Sequence, residues 1–340
     1  MGILKRAKRL GRKYLNPVPT RIVDLSLMMK LLPLYLKNKE ETEPKVALPL
    51  FKTDPEAYEA SSSTGLRVTW FGHSSNLVEM DGTSVLIDPV WDERAAPLTW
   101  IGPKRFFPPT IALKRLPHID LVLISHDHYD HLGKQTIQEL VKLRPEVRWV
   151  CSMGVGEELV GFGVARSKIT ELDWTEETVV QGSEAGSVLK ITAVPARHFS
   201  GRSISSRFET LWSAFVLAGP SHKVYYGADS GLWEGFREIG QQYGPFDLSM
   251  LEIGAFHPLW ADIHLGPDGA LEAFERLGAT GLLMPIHWGL FNLAMHAWDQ
   301  PIERVTMLAD DRGVRLFSPA PGVPTEVREM RSEWWRRSER

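Results

Sequence analysis

The sequence contains a single cysteine, Cys151, so no disulfide can form within the chain. Secreted scaffolds that replace part of a hydrophobic core by several disulfides are therefore excluded. A zinc site made of cysteines is excluded as well, which leaves histidine and carboxylate side chains as candidate metal ligands. The chain also has no G-x-S-x-G motif, which is typical of many serine hydrolases. Because Cys151 follows Trp149 and Val150, we predict a buried apolar thiol rather than a nucleophile.

Acidic residues are absent from the first part of the chain, where none precedes Asp24. Beyond Arg21, the remaining 32 basic residues face 42 acidic ones, a net charge of −10. An acidic body is not typical of a nucleic-acid surface, which requires clustered lysine and arginine, so we expect no nucleic-acid partner. The basic residues that precede Asp24 are Lys5, Arg6, Lys8, Arg9, Arg12, Lys13 and Arg21.

A hydrophobic run long enough to span a membrane is missing near the N terminus. The apolar stretch Leu25–Leu36 is interrupted by Lys30 and Pro33 and is shorter than the roughly 20 residues that a spanning helix needs. A cleaved signal peptide is disfavoured because no A-x-A-like site follows. We interpret residues 1–65 as a basic, amphipathic arm and linker, either packed on the body or lying on a membrane surface. The expected location is cytoplasmic, with peripheral contact at the inner membrane face left open.

From Leu66 onward, short β-type runs alternate with turns. The first hairpin turns at Asp81-Gly82, and its second strand ends on Asp88. A similar hairpin recurs later, and its second strand ends just before Asp229. Helices are predicted over residues 134–143 and from Pro267 to Gly278, which indicates an α/β protein with layers of sheet and helix around one core. The two hairpins comprise the runs 67–71, 76–80 and 83–87, and then 189–194, 211–217 and 224–226.

The motif Ser125-His126-Asp127-His128-Tyr129-Asp130-His131 directly follows the apolar strand predicted for residues 121–124. Ligand-binding groups commonly stand at the ends of strands in α/β proteins, and three imidazoles with a carboxylate can converge on metal. A complete site needs further ligands. His198, Asp229 and His287 are candidates because each follows an apolar strand.

The pattern H-x-H-x-D-H followed by His, Asp and His resembles the metallo-β-lactamase superfamily. This resemblance implies an αββα sandwich of two similar halves and a centre of two metal ions. One ion would be held by His126, His128 and His198, and the other by Asp130, His131 and His287, with Asp229 bridging both. The expected cofactors are two Zn²⁺ ions per chain, with other divalent metals left open.

The sequence around these residues also resembles the N-acylphosphatidylethanolamine-hydrolysing phospholipase D branch of the superfamily. The likeness runs from about Asn16 to Phe317 and gives three expected regions: an arm over 1–65, a hydrolase domain over 66–317 and a charged tail over 318–340. The stretches that carry the likeness are Asn16–Thr20, Trp70–His73, Gly102–Phe106, Ile124–His126, Tyr129–Leu132 and Ile286–Gly289.

Three positions depart from the branch pattern. Asp127 and Gly133 stand where Asn and Asp are expected, and Ile263 stands where a polar Gln is expected before His264. Metal binding should survive these changes. Ile263 offers no side-chain hydrogen bond to a phosphate or headgroup, so this departure bears on the choice of substrate rather than on the ligand set.

The resemblance implies a hydrolase in which two metal ions share a water and turn it into a hydroxide nucleophile. Asp130 would ligate one ion and orient this hydroxide, and His264 is a candidate catalytic residue that could contact a phosphate. His73 is a candidate neighbour of the metal ligands, and His296 is a weaker one. The expected function is phospholipase D-type cleavage of N-acylphosphatidylethanolamine-like lipids.

Other functions remain open at this point. The same metals could serve a lactone, an ester or a cyclic phosphodiester, because one fold supports many reactions. A lipid-binding protein with a vestigial site is a further alternative. The common di-zinc β-lactamases are disfavoured, because they use a Cys near the position of Asp229. The expected partner is an amphiphilic small molecule or a phospholipid, and a homodimer is left open.

Overall fold

The computed structural model describes residues 4–22, 33–34, 37–203 and 205–339. Its strands are β1 (Arg9–Leu10), β2 (Lys13–Tyr14), β3 (Leu66–Trp70), β4 (Asn76–Met80), β5 (Thr83–Ile87), β6 (Leu121–Ile124), β7 (Arg148–Ser152), β8 (Ile169–Leu172), β9 (Glu177–Gln181), β10 (Val188–Pro195), β11 (Ser213–Ala218), β12 (Lys223–Tyr226), β13 (Leu248–Glu252), β14 (Leu282–Ile286), β15 (Phe317–Ser318), β16 (Thr325–Glu326) and β17 (Met330–Arg331). Its α-helices are α1 (Lys134–Leu143), α2 (Val155–Gly161), α3 (Gly235–Tyr243), α4 (Gly266–Arg276) and α5 (Gln300–Arg312).

Two large sheets form the centre of the fold. The first has the order β16-β3-β4-β5-β6-β7-β8, and the second has the order β14-β13-β12-β11-β10-β9. Both sheets contain three antiparallel strands, β3 to β5 or β10 to β12, followed by two parallel ones, β6 and β7 or β13 and β14. The first sheet has β8 as a further parallel strand, and the second has β9 as a further antiparallel one. This correspondence confirms the two related halves that the sequence predicts.

Strand β6 is apolar on both faces, which explains why its sheet is covered by the other sheet on one side and by a helix on the other. Leu121 and Leu123 belong to the large core that also contains Ile191 and Phe215 of the second sheet. Val122 and Ile124 point the other way, into a separate core with Ile137 and Leu140 of α1. A strand that is apolar at every position is therefore buried on both faces, at a gain of roughly 1.5–3 kcal/mol for each large side chain. The second sheet is covered in the same manner by Phe236 of α3 and Phe274 of α4, which confirms the αββα sandwich.

Both helices named from the sequence are present. α1 covers residues 134–143, and the Asp92 carboxylate accepts hydrogen bonds from the backbone N–H groups of Gln135 and Thr136 in its first turn. An acid at this end complements the helix dipole. α4 begins at Gly266 with Pro267 in its first turn, and Gly278 beyond its end adopts a positive φ of 106°.

Parts of the N-terminal arm are attached to the body. Tyr14 is buried in the large core, and its N–H donates to the Phe208 carbonyl. Further along, Asn38 donates to the Met295 carbonyl. Of the apolar stretch 25–36, only residues 33–34 fall within the described residues, so the helical and membrane-surface interpretations of that stretch lie outside them. Among the described residues, no helix is both long and apolar enough to cross a bilayer.

The segment 318–340 is expected from the sequence to be a charged tail, but its described residues, 318–339, are part of the body. Strand β16 extends the first sheet by pairing with β3, and β17 pairs with β15. Trp334 and Trp335 are buried, and Trp334 stacks on Trp288 with ring centroids 5.2 Å apart. The charged composition of the segment hides these two buried side chains from sequence analysis, since it reflects exposed residues such as Arg336.

Candidate metal centre

The seven predicted metal ligands meet at one edge of the sandwich. His126, His128, Asp130 and His131 lie on the loop after β6, and His198, Asp229 and His287 lie on the loops after β10, β12 and β14. Loops at the carboxyl ends of neighbouring strands converge, which explains how residues more than 150 positions apart come together. Their ligating atoms fall into groups whose members all lie within 4.8 Å of one another.

The first group contains His126, His128, His198 and Asp229. Nε2 of His126 lies 2.9 Å from Nδ1 of His128, and Nε2 of His198 lies 3.3 Å from the same Nδ1. Oδ2 of Asp229 lies 3.6 Å from Nε2 of His198. Two nitrogens of a tetrahedral zinc site with bonds of 2.0–2.1 Å are about 3.3 Å apart, so these separations fit a bound ion.

The second group contains Asp130, His131 and His287 together with His73. Oδ2 of Asp130 lies 3.3 Å from Nε2 of His287 and 3.6 Å from Nε2 of His131. Asp229 reaches this group too, because its two oxygens lie 3.1 Å from Nε2 of His131 and 3.0 Å from Nε2 of His287. Asp229 therefore stands between the two groups, as a bridging ligand would.

Several of these atoms are buried without a hydrogen-bond partner among the described residues. They include Nε2 of His131, Nε2 of His287 and Oδ1 of Asp229. Buried polar atoms are rarely left unpaired, and three that face the same point are what a cation would satisfy. The donor set of imidazole nitrogens and carboxylate oxygens is also the set that zinc accepts. The residues therefore fit a pair of divalent ions.

Histidines of the two groups differ in the direction in which their pKa values are shifted. Burial lowers the pKa of His126 and His198 well below the usual histidine value, so both are neutral and able to ligate. Burial also opposes protonation of His287, but the nearby Asp229 and Asp130 outweigh it and raise its pKa to about 10. Burial would raise the pKa of Asp130, yet the nearby His131 and His287 and a hydrogen bond from His73 hold this pKa well below its usual range.

His73 supports the second group through Asp130. Its Nε2 lies 2.9 Å from Oδ2 of Asp130, and burial together with His287 lowers its pKa to about 3. A neutral His73 therefore donates its Nε2–H to the carboxylate and fixes its orientation. His296 belongs to neither ligand group and stacks on Phe256.

Asp88 is a site residue that the sequence interpretation placed only at a strand end. Its Oδ2 accepts hydrogen bonds from Nδ1 of His131 at 2.7 Å and from the Tyr226 hydroxyl at 2.5 Å. Its Oδ1 accepts from the Ser125 N–H. A carboxylate on Nδ1 fixes the tautomer that leaves Nε2 of His131 free for metal. Asp88 directly follows the apolar strand β5. The criterion that identified Asp229, a ligand-type residue just after an apolar strand, could therefore have identified Asp88 too.

Glu252, the last residue of β13, is a second residue that the sequence interpretation missed. It is fully buried, and its Oε2 lies 2.6 Å from Nδ1 of His264. Its Oε1 accepts hydrogen bonds from the N–H groups of Ser230 and Leu265. With both oxygens engaged, Glu252 acts as a support for His264, whose ring centroid lies 5.0 Å from that of His198.

Four positions around the centre have left-handed backbone conformations without being glycine. They are His73 (φ 53°), Asp88 (φ 40°), Ala228 (φ 48°) and His287 (φ 63°). This region is costly for residues with a Cβ and is concentrated at functional sites. Each of the four residues lies at or next to a strand end that supplies the centre.

An apolar wall stands beside the first group. It consists of Trp260, Ile263, Ala294 and Met295, against which Ile22 and Phe199 pack. The Phe199 ring lies 4.6 Å from the His128 ring, measured between centroids. Ile263, which departs from the branch pattern, points its side chain into this wall, while its carbonyl accepts a hydrogen bond from Nδ1 of His198 at 2.8 Å. The surroundings of the first group are thus apolar on this side.

Comparison with known proteins agrees with this geometry. The family model described as "Beta-lactamase superfamily domain" matches residues 83–288. The chain is 42% identical over 295 residues to the uncharacterised protein Rv0906 of Mycobacterium tuberculosis, covering 85% of this chain and 77% of the other. It is 33% identical over 258 residues to N-acyl-phosphatidylethanolamine-hydrolyzing phospholipase D 1 of Caenorhabditis elegans, covering 74% and 72%.

A solved structure shows the same fold. The isothiocyanate hydrolase from Delia radicum gut bacteria superimposes with a TM-score of 0.62 at 16% identity, covering 77% of this chain and 99% of the other. The fold and the site define a metal-dependent hydrolase. The chain belongs to the metallo-β-lactamase superfamily, in which it resembles the N-acylphosphatidylethanolamine-hydrolysing phospholipases D.

Proposed function

We propose that this hydrolase is a di-zinc phosphodiesterase of the phospholipase D type, acting on N-acylphosphatidylethanolamine-like lipids. The observation that carries the proposal is that the two ligand groups share Asp229 and stand beside an apolar wall. The ions would face the phosphodiester, and the wall would face an acyl chain. The Caenorhabditis elegans relative, named for hydrolysis of this lipid, supports the choice of substrate.

The ligands are His126, His128 and His198 for one ion and Asp130, His131 and His287 for the other, with Asp229 shared. Two divalent ions held so closely would acidify a water and neutralise charge that develops on the phosphate. Oδ2 of Asp130, oriented by His73, would accept a hydrogen bond from the attacking water. Nδ1 of His264 is occupied by Glu252, so Nε2 is the atom with which His264 would contact a phosphate oxygen or the leaving group.

The test is hydrolysis of N-acylphosphatidylethanolamine in mixed micelles by the purified protein, before and after metal removal and after zinc is restored. We expect phosphatidic acid and N-acylethanolamine in equal amounts, with activity lost on chelation and recovered with zinc. Asp229→Asn should abolish turnover. His118→Ala, which alters a histidine whose side chain is 57% exposed, is the matched control and should retain it.

A substrate panel separates the alternatives. Metal-dependent turnover of a lactone, an ester or a cyclic phosphodiester, without turnover of the lipid, would replace the proposed substrate and keep the metal centre. Less than one equivalent of tightly bound metal after reconstitution would favour a lipid-binding protein without catalysis.

The proposal includes peripheral contact between the arm and an anionic membrane. The turn between β1 and β2 presents Leu10, which is 75% exposed, among basic side chains. An apolar side chain surrounded by lysine and arginine suits an anionic lipid surface. Lys8, Arg9, Arg12 and Lys13 are the basic residues around this turn.

Flotation with liposomes tests the contact. We expect the protein to bind vesicles that contain phosphatidylglycerol at low salt, and to bind pure phosphatidylcholine vesicles much less. Leu10→Ser combined with Arg12→Ser should weaken the binding, whereas Val323→Ser, at an exposed residue far along the chain, should not. If the Leu10→Ser/Arg12→Ser variant and the Val323→Ser variant bind vesicles equally well, the turn between β1 and β2 does not contact the membrane.

A further inference from the structure

The side chain of Asn16 pairs with the backbone of His198, which is 182 positions away in the sequence. Nδ2 of Asn16 donates to the His198 carbonyl at 2.7 Å, and the His198 N–H donates to Oδ1 of Asn16 at 3.0 Å. His198 lies beyond the end of β10. The Asn16 amide therefore makes the two backbone hydrogen bonds that a neighbouring strand would otherwise make with His198. Such a pair requires one donor and one acceptor on the same group, which an amide supplies and a carboxylate does not.

The residues around Asn16 hold it in this position. Before it, the N–H of Tyr14 donates to the Phe208 carbonyl at 2.8 Å. After it, Nη2 of Arg197 donates to the Pro19 carbonyl at 2.9 Å, and Nε of Arg197 donates to the Thr20 hydroxyl at 3.1 Å. The arm therefore lies along the loop that carries His198 and is attached to it on both sides of Asn16.

The attachment matters because His198 lies on a long connection. Residues 196–212 separate β10 from β11, and a loop of this length does not fix a ligand by itself. The His198 ring is oriented by one bond, from Nδ1 to the Ile263 carbonyl at 2.8 Å. Its backbone is held by Asn16. Together these contacts direct Nε2 towards Nδ1 of His128 and Oδ2 of Asp229.

We infer that Asn16 is a positioning residue of the metal centre. Through Asn16, the N-terminal arm holds a ligand of the first group, His198, in place. The inference rests on the metal-binding role of the proposed function. Groups that orient a ligand in this manner typically affect metal affinity by 10–100-fold. The effect should be confined to the first group, because the side-chain hydrogen bonds given for Asn16 among the described residues reach His198 and no ligand of the second group.

The experiment is a stepwise zinc titration of the full-length metal-free protein against a chromophoric chelator. His126→Ala and His287→Ala serve as references that identify the first and second sites. Asn16→Leu, which keeps the size and removes both hydrogen bonds, should lower first-site affinity by about 10–100-fold and leave second-site affinity unchanged. Asn16→Ala provides a second route to the same result if the leucine variant does not fold.

The control is Arg6→Ala. Arg6 is on the same arm as Asn16, and its replacement removes an exposed ion pair with Glu176 of the body. The thermal midpoint of the metal-free Asn16 variants should stay close to that of this control. The cobalt absorption spectrum of the first site should shift in the Asn16 variants alone. Unchanged affinities, or an equal loss at both sites with a lower metal-free midpoint, would overturn the inference. A wild-type chain that binds no metal would instead overturn the proposed function.

Discussion

The carboxylate of Glu252 lies 2.6 Å from Nδ1 of His264, and Glu252 has no exposed surface. Burial raises the pKa of this carboxyl group, and the neighbouring His264 opposes the rise. The pair fixes the ring of His264 beside the proposed metal ligands. In the proposed hydrolase, this contact determines which nitrogen of His264 is available to substrate.

Replacing Glu252 by Gln should lower kcat by about 10–100-fold, the usual effect of losing a group that orients a functional side chain. Zinc content should remain at the wild-type level because no ligand is removed. Steady-state kinetics and metal analysis of the same preparation check both points. In the double variant with His264→Ala, the second change should cost little more, because Glu252 acts through His264. Fully additive losses would show that Glu252 has another role.

Zinc binding at the two groups should differ in proton release. In the metal-free protein His287 carries a proton at neutral pH, because its pKa is raised to about 10, whereas the lowered pKa values of His126 and His198 keep both neutral. Ligands must be deprotonated, so zinc affinity at the second group should fall as the pH is lowered from 9 to 6. Calorimetry in buffers of different ionisation enthalpy should find at least one proton released there and almost none at the first group. Equal release at both steps would contradict this assignment.

Asp127 connects the ligand loop to the loop after His198. Its Oδ1 accepts from the Gly201 N–H at 2.7 Å, and its Oδ2 accepts from the Thr210 hydroxyl at 2.9 Å. Asp127→Ala should lower the free energy of unfolding by about 2 kcal/mol, since each hydrogen bond contributes about 1 kcal/mol. Asp127→Asn should cost less than half as much, because a hydroxyl can accept from an amide as readily as it donates. Urea denaturation of the zinc-loaded variants measures the difference.

Asp81 links the turns of the two hairpins. It accepts hydrogen bonds from the N–H groups of Ser221 and His222, and it lies 2.7 Å from Nδ1 of His222. Burial opposes ionisation of Asp81, but these contacts outweigh burial and lower the pKa of its carboxyl group. A lowered carboxyl pKa gives stability that is present above the unfolded value of about 3.9 and is lost as the pH falls through the folded value.

The stability difference between wild type and Asp81→Asn should therefore be largest above pH 5 and should shrink below pH 4. Urea midpoints measured between pH 2.5 and pH 7 test this. Asp311→Asn, at an exposed position on α5, should show no such trend. A difference that stays constant with pH would show that Asp81 contributes through geometry alone.

Trp334 anchors the C-terminal segment to the core. Its ring stacks on Trp288 and lies 5.2 Å from the Phe51 ring, measured between centroids. Trp334→Ala should lower the free energy of unfolding by about 3–5 kcal/mol, the usual cost of removing a large buried aromatic group. Trp100→Ala is the matched control, because Trp100 is 71% exposed, and should change stability by less than about 0.5 kcal/mol. Equal stability of both variants would mean that the C-terminal segment contributes little to the core.

The centre was predictable where its residues follow a local pattern. His126 to His131 lie together after an apolar strand, and the repeated hairpin located Asp229 at an equivalent strand end. Asp88 and Glu252 follow the same rule, but a single buried acid at a strand end gives no sign of which histidine it supports. Asn16 acts through a peptide 182 positions away, which only the folded chain brings near. The burial of Trp334 was hidden because composition reflects the charged surface of a segment rather than the two side chains that enter the core.

The division of the ligands between the two halves also has a temporal consequence. A chain grows from its N terminus, and early segments begin to fold before later ones exist. The loop after β6 therefore emerges from the ribosome with three histidines and Asp130, while Asp229, which joins both ligand groups, has yet to be made. His287 is added later still. In the proposed di-zinc enzyme, neither ligand group is therefore complete until most of the chain has been synthesised.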